Sequence, residues 1–567
     1  MNLTLAYLGR SSLSTSGSGQ VLSLAPNLNR EPVAFDAPLL QPLRFREAIS
    51  ALHDVVISDL RYQSRDKTAY EEWKKNEAAR LRTLRSEIYK ERRAEILVAR
   101  EVPPDFELQF NRCRSLYWNA RQEYSNYLRK NDLQLWRLLM PCDPVITVAD
   151  DVVFFECFSA DESSYGCLTV NRSASFGKCD SVRFGTTNVD YSWDLFNHFQ
   201  GLRSYRETRF RVDPAGFEVA TRGREDYREE KIDLPPGWLR GFMQIQGAIG
   251  LPMRKVTLSR DAVYSLLAWL KRHKARKSPR ALRFELLPGQ PPVLVLEPWE
   301  QRIAVHGETS GATASEPIRI WGRQRLLALA RLLPLVERFD VYLLGTGMPS
   351  FWVANMGEMQ LTLGMSGWTA NDWTHGSSLD LLAPPAVPTQ DLIAKVAAYM
   401  QSARAATFAD IDARSLTQPG QTAAALNHLA HAGQVIYDLP NGVYRWRQIM
   451  PQVMGEAQMG PENLEQVAAK EILLHKKAKI DSQMAAPSGG TIYAGVADHK
   501  PVELLIDADG RIKRGKCLCS HHFKAGIRMG PCRHLLALRW LAWKDKQAAT
   551  ESTTASWYER LQQWTRS

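Results

Sequence analysis

A chain of 567 residues that is 44% hydrophobic and 23% charged has material for roughly three to five domains of ordinary size, each able to bury a core. Its formal net charge of +11 points toward acidic partners, and it holds no apolar run of the roughly eighteen residues that a membrane span needs. The first residues, from Met1 to Arg10, lack both a basic start and a long apolar stretch, so a cytoplasmic protein is expected.

Residues 11–19 are rich in serine and glycine and read as a loop. From about 44 to 100 the chain is dense in Glu, Lys and Arg, with Leu81, Leu84 and Ile88 at helical spacing, and Pro103 and Pro104 stop it. From about 106 to 139, Leu116, Tyr117, Ala120, Tyr124, Tyr127 and Leu128 again recur at three and four. An antiparallel helical hairpin is therefore expected within an N-terminal region 1–140. Acidic and basic residues are interleaved throughout it, which makes its charge a solvated face with i,i+4 pairs rather than a nucleic-acid surface.

At Val145 the period becomes strand-like, in a β-rich region 141–383. A short strand, an amphipathic helix and further strands recur in it. The first copy has strand 181–184, helix 193–200 and strands near Phe210 and Phe217. The second has strand 255–258, helix 261–272 and strands 282–286 and 293–296. The third has strand 317–320, helix 323–333 and strands 341–344, 351–354 and 359–363. The pattern predicts α+β units built on antiparallel sheet, within a multidomain α+β chain. This arrangement is similar to the β-α-β-β-β units of sliding clamps, although no sequence motif goes with it and convergence of common elements accounts for it. Two local features stand out. The block 271–280 is basic without a carboxylate, which suits a phosphate track or a solvated loop. The glycine- and tryptophan-rich segment 345–373 reads as tight turns around packed tryptophans, or else as a protein-docking surface, and its glycines do not stand in phosphate-loop order.

Pro384, Pro385 and Pro388 mark a linker, and a module over 388–450 follows. Leu392, Val396, Tyr399 and Met400 place a first helix on a core, Thr407 can cap a second over 408–413, and Gln418-Pro419-Gly420 leads into a third over 421–432. Strands 435–439 and 443–447 flank the turn Pro440-Asn441-Gly442. Three helices and a hairpin in this order resemble a winged helix-turn-helix domain. The resemblance implies an outward third helix carrying Gln421, Asn427, His428 and His431, with Arg445 and Arg447 on the wing. Five basic residues against four acidic ones over 389–447 leave DNA and protein contact equally open.

A helix over 462–479 and strands 491–496 and 502–507 are expected next, in a C-terminal region 462–546 followed by a helical tail, 547–567. Here Cys517-Leu518-Cys519, a twelve-residue spacer and Cys532-Arg533-His534 supply three thiols and an imidazole in two close pairs. That is the donor set and coordination number of a structural zinc site. On a strand the period of two points Cys517 and Cys519 to one face, while the second pair opens an apolar helix over 535–543. His521 and His522, inside the spacer, are further candidate ligands. The remaining cysteines, Cys113, Cys142, Cys157, Cys167 and Cys179, show no ligand spacing and read as buried or free thiols in a reducing compartment.

The C-x-C and C-x-H pairs on a strand-strand-helix scaffold, covering about 501–543, resemble the SWIM-type zinc finger. The resemblance implies Zn²⁺ held by Cys517, Cys519, Cys532 and His534. The region from about 238 to 373 is also similar to what precedes the finger in a set of bacterial SWIM proteins. That likeness implies association with MoxR-type AAA ATPases and von Willebrand A-domain proteins.

Over 501–546 ten basic residues stand against four acidic ones, a net of +6. A basic face on a zinc module suits nucleic acid, and Arg511, Lys513, Arg514, Lys516 and Arg528, around the ligands, are the expected phosphate contacts. No phosphate loop, metalloprotease motif, nucleophile elbow or spaced acid–base pair occurs, so a non-enzymatic protein is expected. A nucleic-acid-binding or regulatory component is the leading expectation. A protein–protein adaptor, docking through the finger and the winged helix, is the alternative.

Overall fold

The computed structural model describes residues 33–58, 144–189, 236–251, 253–274, 279–305, 316–367, 378–415, 420–449, 463–486 and 489–545, with shorter pieces between 5 and 24, 108 and 131, 195 and 231, and at 373 and 417. The chain forms two compact units, Asp59–Pro141 and a larger one made of Met1–Ser58 with Cys142–Ser567. In the smaller unit, helical residues are described between 108 and 131. The rest of the expected hairpin lies outside the described residues, as do the tail 547–567, residues 275–278 of the basic block, the strand near Phe217, and Trp368.

The larger unit is mixed α and β. After β1 (Leu5–Leu8), β2 (Ser12–Ser16) and β3 (Gly19–Leu24), four strand–helix–strand units follow one another. The first is β4 (Ala34–Leu39), α1 (Pro42–Val56), β5 (Val145–Val148), β6 (Val152–Phe158) and β7 (Ser164–Asn171). The second is β8 (Ser181–Arg183), β9 (Gly185–Asn188), helical residues within 195–199, β10 (Glu207–Val212) and β11 (Arg228–Lys231). Helix α2 (Pro236–Ile249) leads to the third: β12 (Arg254–Ser259), α3 (Arg260–Arg272), β13 (Leu282–Glu285), β14 (Val293–Leu296) and β15 (Gln301–Ala304). The fourth is β16 (Ile318–Ile320), a 3-10 helix (Arg323–Leu332), β17 (Arg338–Leu343), β18 (Ser350–Asn355) and β19 (Met359–Met365). The sequence pattern showed three of these copies. The additional one, the first in the chain, escapes it because residues 59–141 interrupt that copy between helix and strand. In the fourth the expected α-helix is a 3-10 helix, entered from Gly322 at φ 78°.

The units exchange strands in pairs. β9 joins β5 and β4 joins β10; in the same way β12 joins β17 and β16 joins β13. Pairing of β7 with β19 then closes one eight-stranded sheet, β9-β5-β6-β7-β19-β18-β17-β12, with matching order outward from its centre. All described pairs are antiparallel except β3 with β10. Every residue of β6 and of β18 is buried, as strands covered on both faces must be. On one face Phe155 meets Phe45 of α1, and Gly166 lies so close to Leu52 and Val55 that a Cβ would collide. On the other face Phe158 packs against Trp238 and Phe242 of α2, and Phe154 against Ile436.

Beyond the linker come α4 (Gln390–Ala403), β20 (Ala405–Ala406), α5 (Phe408–Ser415), α6 (Gln421–His431), β21 (Val435–Asp438) and β22 (Val443–Trp446). The three helices and the hairpin expected there are present, around a core of Leu392, Val396, Met400, Ile411, Leu426, Leu429 and Val435. Thr389 caps α4, its hydroxyl accepting from the Leu392 amide at 3.3 Å. Then α7 (Leu464–Leu474) precedes a four-stranded sheet of β23 (Ala478–Ala485), β24 (Thr491–Ala497), β25 (Lys500–Ile506) and β26 (Ile512–Cys517), followed by α8 (Ser520–Ala525) and a helix α9 over 533–545. The helix expected over 462–479 is shorter than that. Lys476 takes φ 53° and ends it, and 478–485 pair as a strand. Among the described residues no helix is long and apolar enough to cross a membrane.

Candidate metal centre and basic surface

Cys517 is the last residue of β26, Cys519 caps α8, Cys532 immediately precedes α9, and His534 lies in its first turn. Their ligand atoms all lie within 4.8 Å of one another, and all four residues are buried. Three thiolates and an imidazole on a tetrahedral ion at about 2.3 Å per sulfur would stand roughly 3.8 Å apart. The cluster is thus of the size that a metal ion fills. Nδ1 of His534 is buried with no hydrogen-bond partner, a costly state unless something else meets the ring. The Cys532 thiol donates to Cys517 and pulls it down to about 4, while Cys532 is pushed up in return. Burial raises Cys519. A metal ion held here would take the cysteines as thiolates, so its binding would release protons.

Local packing sets the distance between the two pairs. Gly515 on β26 faces Leu535, where a Cβ would lie 2.6 Å from the leucine side chain, so strand and helix run in direct contact. Arg533 is tied to Glu465 of α7 by its backbone amide at 2.8 Å and by its guanidinium at 2.6 and 3.1 Å. Leu535, Leu536, Ala537 and Leu538 are all fully buried, which stabilises the start of α9 by about 1.5–3 kcal/mol per leucine. Of the spacer histidines, His521 turns its Nε2 to the Gly530 carbonyl at 3.4 Å, and His522 donates its backbone N–H to Cys519 Sγ. His534 is the histidine brought together with the three cysteines.

The five expected phosphate contacts fall into three groups. Arg511 is engaged inside the protein, donating to Asp509 at 3.0 Å with Asp507 at 3.6 Å, and it lines a small cavity with Gln246, Asn427 and Tyr444. Its guanidinium is therefore already held by two carboxylates. Arg514 and Lys516 are exposed on the outer side of β26, Lys516 pairing with Glu503 at 3.1 Å. Lys513 and Arg528 are half-buried, and Arg528 donates to the Lys524 carbonyl at 3.2 Å. The Arg254 guanidinium of β12 is held below its usual pKa, by burial first and by the Arg514 cation second.

No family model matches the chain, and no curated protein does. Among solved structures, the proliferating cellular nuclear antigen of Entamoeba histolytica is 11% identical, with a TM-score of 0.28 over 40% of this chain and 89% of that one. A. fulgidus PCNA with the C-terminal region of FEN-1 is 11% identical, with a TM-score of 0.27 over 41% and 91%. The PCNA2–PCNA3 complex from Sulfolobus tokodaii is 9% identical, again at 0.27, over 40% and 89%. At that level of likeness neither fold nor function carries over.

Of the residues expected on an outward helix and wing, His428 is exposed and Gln421, Asn427 and His431 are half-buried, while those of the wing turn inward. Arg445 and Arg447 are both buried, as are Ala423, Ala424 and Ala425. Arg445 pairs with Asp151 at 2.6 Å and Asp438 at 2.6 Å. Arg447 grips Glu156 of β6 with two bonds of 2.8 Å, Tyr165 gives the same carboxylate a third at 2.7 Å, and Phe242 lies under the guanidinium at 4.7 Å. Burial holds His428 and His431 below the usual imidazole pKa. A carboxylate inside a sheet needs a cation, and the hairpin supplies it. Trp352 and Trp373 are likewise fully buried, so in the 345–373 segment these two rings pack inward.

Sequence reasoning missed the anchors of the finger. Arg539 of α9 is buried, donates to the Leu381 and Ala383 carbonyls at 2.9 and 2.8 Å, and is pulled down to about 10 by that burial. Trp543 fills a niche where a Cβ on Gly420 or Gly510 would strike its ring. A single arginine within the apolar run 535–543 was the available signal.

Proposed function

We propose that the C-terminal module is a zinc-stabilised finger whose basic surface binds nucleic acid through phosphate contacts, within a chain that works by binding rather than catalysis. The supporting observation is the buried cluster of Cys517, Cys519, Cys532 and His534 beside the exposed cations Arg514, Lys516 and Lys524. Zinc there would join the end of β26 to the start of α9 and would contribute ~10 kcal/mol or more to folding of the module. Phosphate contacts predict affinity that falls steeply with salt and depends little on sequence, because counterions are released and bases go unread.

The test uses the zinc-loaded full chain in a salt titration against labelled DNA and RNA. Changing Lys513, Arg514 and Lys516 together to Ala is expected to weaken binding to all sequences and flatten the salt slope while zinc content stays at one per chain. Cys532→Ser is expected to lose the zinc. Absence of binding at low salt would overturn the nucleic-acid reading, and unchanged metal content in Cys532→Ser would overturn the ligand assignment. The resemblance to bacterial SWIM proteins adds a partner proposal, a MoxR-type AAA ATPase and a von Willebrand A-domain protein, tested by pull-down after nuclease treatment. An adaptor docking through the hairpin finds less support, since Arg445 and Arg447 are buried; α6 keeps His428 exposed and Gln421, Asn427 and His431 half-buried.

A further inference from the structure

The spacer between the two ligand pairs carries a feature that phosphate binding leaves unused. Phe523 of α8 is 88% exposed, and Leu518, between the first two ligands, 75%; this single helical turn is anchored at its capping residue, Cys519. The Phe523 amide donates to the Cys519 carbonyl at 2.9 Å and the His522 amide to Cys519 Sγ at 3.4 Å, so a ligand residue of the cluster fixes the turn that bears the ring. An exposed phenyl on a pinned turn is held in place before anything binds, and contact with it costs little ordering entropy. Its surroundings are cationic. Lys524 follows it, the Arg528 guanidinium reaches the Lys524 carbonyl, Arg514 lies exposed on β26, and no carboxylate occurs from Leu518 to Arg533.

We infer that the finger prefers single-stranded over duplex nucleic acid, with Phe523 stacking on an unpaired base while Lys524 and Arg528 follow the backbone. The inference rests on the nucleic-acid reading above. It deepens that reading because a cationic surface alone suits either form, whereas an exposed ring has a partner only where base faces are open; in a duplex they are covered by their neighbours. Base–aromatic stacking tolerates any sequence, in keeping with phosphate contacts that read no bases.

The experiment measures fluorescence anisotropy of the zinc-loaded full chain with a labelled oligothymidylate, and with the same strand annealed to its complement. Wild type is expected to bind the single strand more tightly. Phe523→Ala, at a position too exposed to matter for folding, is expected to lower single-strand affinity by about 5- to 150-fold, the range for one lost base–aromatic stack, and to leave duplex affinity and zinc content unchanged. Phe523→Trp should restore single-strand binding. Equal losses for both nucleic acids, or no loss for either, would overturn the stacking role while the phosphate reading stands. Failure of wild type to bind either would remove both and leave Phe523 as a protein contact.

Discussion

His53 lies on α1 with its ring stacked on Phe196, 3.8 Å between centroids. Burial first, and the Arg331 cation second, pull its pKa down to about 3. The folded value lies below the unfolded one, near 6.5, so the unfolded chain takes up the proton first. The stability that this residue contributes is complete above about pH 6.5 and drains away as the pH falls toward 3. At pH 4.5 the loss is on the order of 3 kcal/mol, about two pH units below the unfolded value. His53→Phe keeps a stacked ring without a titrating nitrogen, and its melting temperature is expected to fall less between pH 7 and pH 4.5 than that of wild type. Equal falls in the two proteins would refute this account of His53.

Among elements, the contact between β26 and α9 decides whether the metal centre assembles. Its closeness depends on the missing side chain at Gly515. Gly515→Ala pushes the strand off Leu535, an overpacking that costs about 1–3 kcal/mol, and it moves Cys517 away from Cys532 and His534. Zinc is therefore expected to pass to a competing chelator faster from this variant than from wild type, with the ligands themselves untouched. A release rate matching wild type would mean that the spacing between strand and helix has slack. The two ligand pairs and the helix after them were legible in the sequence because both are local patterns. The length of α7 was not, because Lys476 leaves the helical region without a glycine or proline to announce it.

For the whole molecule, the second face of the eight-stranded sheet is closed by α2 and by the hairpin of the 390–446 module. Glu156 and Arg447 sit at the middle of that closure, separated by 291 positions in the chain. Arg447→Ala leaves the Glu156 carboxylate buried with Tyr165 alone, at a cost of about 3–5 kcal/mol. Limited proteolysis is expected to cut the variant within 439–449 faster than wild type. The double change Glu156→Gln with Arg447→Met, which removes both charges, is expected to regain most of the resistance. An Arg447→Ala protein as resistant as wild type would show that apolar packing around Ile436 suffices to hold the hairpin.

Local chemistry by itself marked the two candidate ligand pairs, the hairpin turn at Asn441, the three helices before it and three of the four strand–helix–strand units, since each is written in short-range patterns along the chain. Tertiary structure alone decided which charges are available to a partner. Arg445, Arg447, Arg511 and Arg539 look in sequence like any surface arginine. Arg445, Arg447 and Arg539 are buried because Asp151, Glu156 and the carbonyls of Leu381 and Ala383 meet them, mostly from far along the chain, and the half-buried Arg511 is held by Asp507 and Asp509. Strand exchange between units is of the same kind: a strand's own residues specify its pleat and its apolar face, but which neighbour supplies its hydrogen bonds is settled only when the units pack.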